Sequence, residues 1–312
     1  MKVLITGVTG FIGNELLNAL QDKFDLFGIV RYVTGRIEME SKCKVLYGDI
    51  KDYFTIKNIM KVVQPEIVCH LASISAVSYS YDHPQEIIEN NLLGLINIAE
   101  ACKQIPSFKQ FLFAGTSEEY GNNGFTIQKE QNPLRPSSPY GISKLGCESY
   151  LEYMKEAYSF PVTILRPFNT YGRTRDHHFL VERTIYQMLT SNKVYLIDPD
   201  PVRDLLYISD HIKAYEYCID NEKAIGQVLN FCTGKGYKIC EVVEKIKNII
   251  GFEGDIIWYS SPPRPSESKI IVGDYSKVRK ILGWEPKIGL DEGLSITINK
   301  WREIVKCNPK VL

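Results

Sequence analysis

The chain has 312 residues, 44% of them apolar, enough for one large domain or two smaller ones around a substantial core. Lys plus Arg equals Asp plus Glu at 37 each. That balance excludes the basic excess of a broad nucleic-acid footprint, while leaving room for a small cationic pocket that takes a diphosphate.

No apolar run approaches the ~20 residues needed to span a bilayer, and Gly7 comes too early for a secretory leader. The expected setting is cytoplasmic, with no membrane partner. Eight scattered cysteines include no Cys-x-x-Cys pair, so buried reduced thiols and no metal site are expected.

Lys2 to Thr6 is a short apolar run, a buried parallel strand by its pattern. Gly7-Val8-Thr9-Gly10-Phe11-Ile12-Gly13 follows, then helical spacing at Leu16, Leu17, Ala19 and Leu20. Strand, glycine loop and helix is an arrangement that binds dinucleotides. Glycines let the backbone approach a pyrophosphate, and the helix start supplies N–H donors and a positive dipole end. Gly7, Thr9, Gly10, Phe11, Ile12 and Gly13 are therefore candidate cofactor contacts.

A second strand, Leu26 to Val30, ends at Arg31. An acidic residue there would accept a ribose 2′-hydroxyl and suggest NAD; arginine favours a 2′-phosphate and hence NADP, with NAD the alternative. The bland reading of Arg31 is a surface arginine. Val45 to Tyr47 is a third strand leading into Gly48-Asp49-Ile50. Asp49, with Ile50 beside it, either receives an adenine amino group or caps the next helix.

Glu66 to Ala72 is a fourth strand whose end, Leu71-Ala72-Ser73, should lie under the cofactor. Pro84 to Lys103 reads as one long helix with Ile87, Ile88, Leu92, Leu95, Ile96 and Ala99 inward. Gln110 to Ala114 is a fifth strand that delivers Thr116 and Glu118 at its carboxyl end, where open α/β sheets bind ligands. A helix from about Pro139 carries Tyr140 and Lys144, four apart on one face. An adjacent cation favours phenolate and should lower the phenol from ~10 toward neutrality, preparing Tyr140 to take a proton from a sugar hydroxyl. Val162 to Leu165 is a sixth strand, followed by Arg166-Pro167-Phe168-Asn169.

Strands alternating with helices imply an α/β fold, a Rossmann-type doubly wound parallel sheet over residues 1–170, with returning segments near 205–235. Residues 171–312 form mainly a smaller lobe for substrate. Its expected helices are one around Leu180, Ile185 and Met188 and others near 209–221, 238–250, 275–282 and 290–305. Short strands are expected at 194–197, 228–232 and 255–259, with a rigid proline loop at 262–265. His177-His178 reads as loop before a helix, since no third ligand accompanies the pair; His70 and His211 read as structural.

Thr6 to Gly13, Asp49, His70-Leu71-Ala72 and Tyr140-Gly141-Ile142-Ser143-Lys144 resemble, in order and spacing, the extended short-chain dehydrogenase/reductase family that acts on nucleotide sugars. The resemblance covers nearly the whole chain. Thr116-Ser117-Glu118 is similar to GDP-mannose 4,6-dehydratases and also to UDP-glucuronate decarboxylases; dehydratases of dTDP-glucose carry Thr-Asp-Glu instead. Gly28 to Arg31, Asn169 with Arg173, Arg175 and Phe179-Leu180-Val181, Val202-Arg203-Asp204, and Arg264-Pro265-Ser266-Glu267 also resemble the GDP-mannose group. Tyr32 and one missing arginine of an adjacent pair depart from it. Reductases of GDP-4-keto-6-deoxymannose share the segment from Gly273 to Lys277.

The resemblance implies dehydration of a nucleotide sugar with NADP. Tyr140 would remove the C4 hydroxyl proton while C4 gives a hydride to the cofactor, Lys144 would hold the phenolate and the nicotinamide ribose, and Thr116 would hydrogen-bond the reacting oxygen. Glu118 would move the C5 proton to the leaving C6 hydroxyl. Leu71 and Ala72 would line the cofactor, and Ser75, Asn169, Arg175, Arg203, Arg264 and Glu267 the substrate, the last three as diphosphate clamp and ribose or base contact. It also implies a homodimer or homotetramer formed through residues 84–103 and 139–158. The alternatives are a 4-epimerase, a 4-ketoreductase, a UDP-glucuronate decarboxylase, and a catalytically silent NADP-binding regulator.

Overall fold

The computed structural model describes residues 1–32 and 42–307. Its strands in chain order are β1 Lys2–Thr6, β2 Asp25–Val30, β3 Lys44–Tyr47, β4 Ile67–His70, β5 Gln110–Ala114, β6 Val162–Pro167, β7 Asn169–Tyr171, β8 Lys193–Tyr195, β9 Val202–Tyr207, β10 Val228–Phe231, β11 Gly236–Lys238, β12 Asp255–Ile257 and β13 Ile270–Ile271. The helices are α1 Phe11–Leu20, α2 Tyr53–Val63, α3 Val77–Asp82, α4 Pro84–Ile88, α5 Gly94–Cys102, α6 Pro139–Tyr158, α7 Leu180–Thr190, α8 Ile208–Cys218, α9 Ile239–Ile250, α10 Ser276–Leu282 and α11 Leu290–Cys307.

Seven strands form the main sheet in the order β10-β6-β5-β4-β1-β2-β3, every pairing parallel. Both faces are covered, so β1 and β4 read as continuous apolar runs rather than alternating ones. After β3 the chain returns to the other side of β1 to form β4. This reversal opens a crevice at the carboxyl ends of β1 and β4, the topological switch point.

Chain direction into the site is set by caps. Ser138 accepts a hydrogen bond from the Gly141 N–H and Pro139 occupies the first turn of α6, which fixes where Tyr140 leaves the helix. Asp52, not Asp49, caps α2, accepting from the N–H groups of Phe54 and Thr55.

Residues 84–102 are helical throughout, one short of the expected end, but a π turn at Glu89–Leu93 interrupts the expected regular helix. The bulge turns Asn91 inward, where its amide bonds both backbone groups of Ile74 and the Ser143 hydroxyl. That amide ties the loop after β4 to α6. β4 stops at His70 rather than Ala72, because the Leu71 and Ala72 N–H groups turn to the Thr6 hydroxyl. α8 ends at Cys218, short of 221. Six cysteines are buried, while Cys240 is half-buried and Cys307 exposed.

The second lobe holds strands that the sequence pattern did not suggest. β9 is central, pairing with β7 (Asn169 opposite Leu205), β11 and β13. An apolar core runs from the β1 face through α7, α8 and α9 to Trp284 and Trp301, so the two lobes share packing. No helix among the described residues is long and apolar enough to cross a membrane.

Candidate active site

The glycine loop is fixed by its own crowding. Gly7 has φ +74°, and a Cβ there would sit 2.8 Å from the Ala72 nitrogen; at Gly13 it would sit 2.2 Å from the Gly7 carbonyl oxygen. No side chain caps α1 and no acid stands in its first turn. Phe11, Ile12 and Gly13 line a cleft of about 730 Å³, and the N-cap of α1 is Gly10, which has no side chain to receive the first-turn N–H groups. These features fit the anionic centre of a dinucleotide. Below the loop the Thr6 hydroxyl accepts from two backbone N–H groups, so its own hydrogen goes to His70 Nδ1 at 3.0 Å. Burial, then Lys144, pushes His70 down to about 3, which keeps it neutral.

Across the cleft, Thr116 lies two residues past the end of β5 and caps the single turn Ser117–Glu119, accepting from the Glu118 N–H at 3.2 Å. The Thr116 side chain also acts on the Tyr140 phenol, lowering it. Lys144 is 3% exposed, its Nζ donating to the Ala114 carbonyl at 2.7 Å and lying 6.0 Å from the Tyr140 ring centre.

The expected lowering of Tyr140 is not found in the protein alone. Burial raises the phenol, and the Thr116 side chain offsets only part of that. Lys144 is itself pushed down by burial, and its ammonium is turned to a carbonyl. Desolvation is the largest cause of both shifts.

Glu118 is half-buried at the meeting of the lobes. Burial raises its carboxyl; Arg203 lowers it, Glu267 raises it and Arg264 lowers it. Arg203, on β9, donates to Glu267, whose other oxygen is 3.6 Å from Arg264. Glu267 therefore faces two guanidinium groups in this structure, rather than standing free for a ribose or base.

The fold brings Gly7, Gly10, Phe11, Ile12, Gly13, Leu71, Ser75, Thr116, Glu118, Tyr140, Lys144, Asn169, Arg203, Arg264 and Glu267 to one cleft. It leaves Thr9, Arg31, Asp49, Ile50, Ala72 and Arg175 outside the lining. Arg31 is exposed with its guanidinium 4.8 Å over the Tyr32 ring. Asp49 accepts from the Lys51 N–H at 2.9 Å, and Ile50 is buried against Gly94. Ala72 packs behind Gly7.

Other lining residues had no role assigned from sequence. Arg173 stacks over Phe11 and Phe179, at 4.5 and 3.7 Å. Glu182 holds the N–H groups of Gly172 and Arg173. Its one available signal was an acid set among the apolar positions of α7. His211 also lines the cleft, bonded to Thr170 at 2.9 Å. Among the described residues no cluster of three or more His, Cys, Asp or Glu could hold a metal; His178 pairs with Asp176.

The profile of the GDP-mannose 4,6 dehydratase family matches residues 4–297. A UDP-glucose 4-epimerase of Lactobacillus helveticus is 28% identical, over 99% of this chain and 98% of its own. A GDP-mannose 4,6 dehydratase of Cricetulus griseus is 29% identical, over 98% of this chain and 92% of its own. The solved structure of a UDP-glucose 4-epimerase from Thermotoga maritima, with UDP-glucose, has a TM-score of 0.90 at 28% identity, covering 98% of this chain and 100% of that one.

Proposed function

The chain belongs to the GDP-mannose 4,6-dehydratase family of nucleotide-sugar epimerases and dehydratases, and from that premise we propose that it dehydrates a GDP-sugar such as GDP-mannose to its 4-keto-6-deoxy product. The observation that carries this reading is Glu118, a carboxyl of raised pKa in the same cleft as Tyr140 and Thr116. Oxidation and reduction at C4 alone needs no such group.

The glycine loop and the start of α1 would hold the pyrophosphate of NADP, Lys144 a ribose, and Arg31 the 2′-phosphate; NAD is the alternative. When bound, the dinucleotide supplies reversible two-electron redox chemistry. Tyr140 takes the C4 hydroxyl proton, and Thr116 hydrogen-bonds the same oxygen. A C4 ketone acidifies C5–H; Glu118 removes that proton and gives it to the departing C6 oxygen. A carboxyl raised by burial is both a stronger base toward carbon and nearer the working pH as an acid. Arg203 and Arg264, ordered beforehand by Glu267, receive the diphosphate, and Asn169 a phosphate oxygen. In this reading residues 1–170 with β10 hold the cofactor and the remainder mainly the sugar nucleotide. Exposed Leu93 and Ile142 support self-association through the helices at 84–103 and 139–158.

The relatives named as UDP-glucose 4-epimerases favour one second reading, 4-epimerisation, which would use Tyr140 and Thr116 without Glu118. Product mass separates the two. Purified protein incubated with GDP-, UDP-, dTDP- and CDP-sugars should convert a GDP-sugar with loss of one water. Turnover of a UDP-sugar at unchanged mass would overturn the dehydratase reading.

A further inference from the structure

Behind Thr116 lies a buried acid that the proposed chemistry does not use. Glu119 is wholly buried on the turn after β5, and its Oε1 accepts the Thr116 N–H at 3.1 Å. Gly115 leaves it room; a Cβ there would stand 3.2 Å from that oxygen. Glu119 Oε2 is buried with no hydrogen-bond donor facing it. The nearest cation, Arg166, is 3.4 Å away through Nε, but that N–H is already given to Glu148 Oε2 at 3.0 Å. Arg166 also donates to the other Glu148 oxygen, to the Tyr120 hydroxyl and to the Glu130 carbonyl. One guanidinium thus faces two buried carboxyl groups, and of the two it hydrogen-bonds Glu148.

The carboxyls of Glu119 and Glu148 meet beside the same Arg166 guanidinium, close enough to shift each other's titration. Two carboxylates have no hydrogen between them, so this contact is a bond only when one oxygen is protonated. Glu148 has both oxygens in the fork of Arg166 and is the ionised partner. The orphaned Oε2 of Glu119 is where the proton sits, since a second buried carboxylate without its own cation is strongly disfavoured. The other cation nearby, Lys144, turns its ammonium to Ala114. Burial first, and then the charge of Glu148, raises Glu119, in agreement with this arrangement.

We propose that Glu119 is a positioning residue that works as a neutral acid, its Oε1 holding the Thr116 backbone and its protonated Oε2 bonded to Glu148, so that the Thr116 hydroxyl meets Tyr140. The role assigned to Thr116 rests on the reading above; the protonation does not.

Infrared difference spectra of the substrate-free full chain, wild type minus Glu119→Gln at neutral pH, test the protonation without any turnover. A carbonyl band of a protonated carboxyl, shifting in D2O, is expected; its absence overturns the proposal. Positioning is tested with whichever nucleotide sugar is turned over. Glu119→Gln, which can accept from Thr116 and donate to Glu148, should keep kcat near wild type. Glu119→Leu should lower kcat about tenfold or more with KM little changed. Equal losses in both variants would refute the positioning role. If no nucleotide sugar is turned over, the functional reading fails while the infrared band still decides whether Glu119 carries the proton.

Discussion

Glu118→Gln keeps the size and polarity of the side chain and removes its ability to take a proton. General-base assistance of this kind contributes about 10²–10⁴-fold, or roughly 3–5 kcal/mol of barrier. Burial raises its pKa above the ordinary 4.5, and Arg203 opposes part of that rise. Turnover should therefore rise with pH as Glu118 ionises, on a limb above 4.5.

The effect on stability has the opposite sign. A raised folded pKa means that the native state binds this proton more tightly than the unfolded chain does. The stabilisation is full below the unfolded value and is lost as pH rises through the folded one. The Gln variant lacks that loss, so its Tm at neutral pH should equal or exceed wild type. The assay is deuterium incorporation at C5 of GDP-mannose in D2O, followed by mass spectrometry, alongside cofactor titration. Lost exchange with unchanged cofactor affinity is expected. Exchange at the wild-type rate in the Gln variant would refute the assignment of Glu118 as the base.

Gly13→Ala drives a Cβ against the backbone of Gly7 and Val8, at 2.2 and 2.8 Å, where no flexible side chain can yield. It should cost about 1–3 kcal/mol of stability and weaken dinucleotide binding; wild-type denaturation and titration curves would refute the packing argument. Arg203→Leu should raise the KM for the nucleotide sugar about 10–100-fold while leaving cofactor affinity alone. It should also move the Glu118 limb of the pH profile upward, since the neighbour that lowers this carboxyl is gone. An unmoved limb would show that the two groups are not coupled.

Much of the first half was legible from local pattern. Parallel strands buried on both faces are continuous apolar runs, and the glycine loop stands out because Gly7 and Gly13 have no room for a Cβ. Thr116, Glu118, Tyr140 and Lys144 stood out because strand ends and helix spacing determine where such side chains emerge. The second lobe was less legible. β7, β11 and β13 are short, and they pair with β9 across long stretches of chain, so no periodic signal marks this sheet. The π turn that aims Asn91 at Ile74 and Ser143 was equally silent, since its sequence continues an ordinary helical pattern.

The amino-acid sequence alone determined which chemical groups are present and on which strand ends and helix faces they sit. Only the tertiary structure decided their ionisation and company. It raised Tyr140 where a neighbouring lysine suggested lowering, because burial dominates. It gave Arg203 and Arg264 a shared partner in Glu267. It also set Glu119, which in the sequence is one more acid beside Glu118, against Glu148 with a single guanidinium between them. Desolvation and charge pairing depend on distances across the folded chain, and spacing along the sequence does not contain those distances.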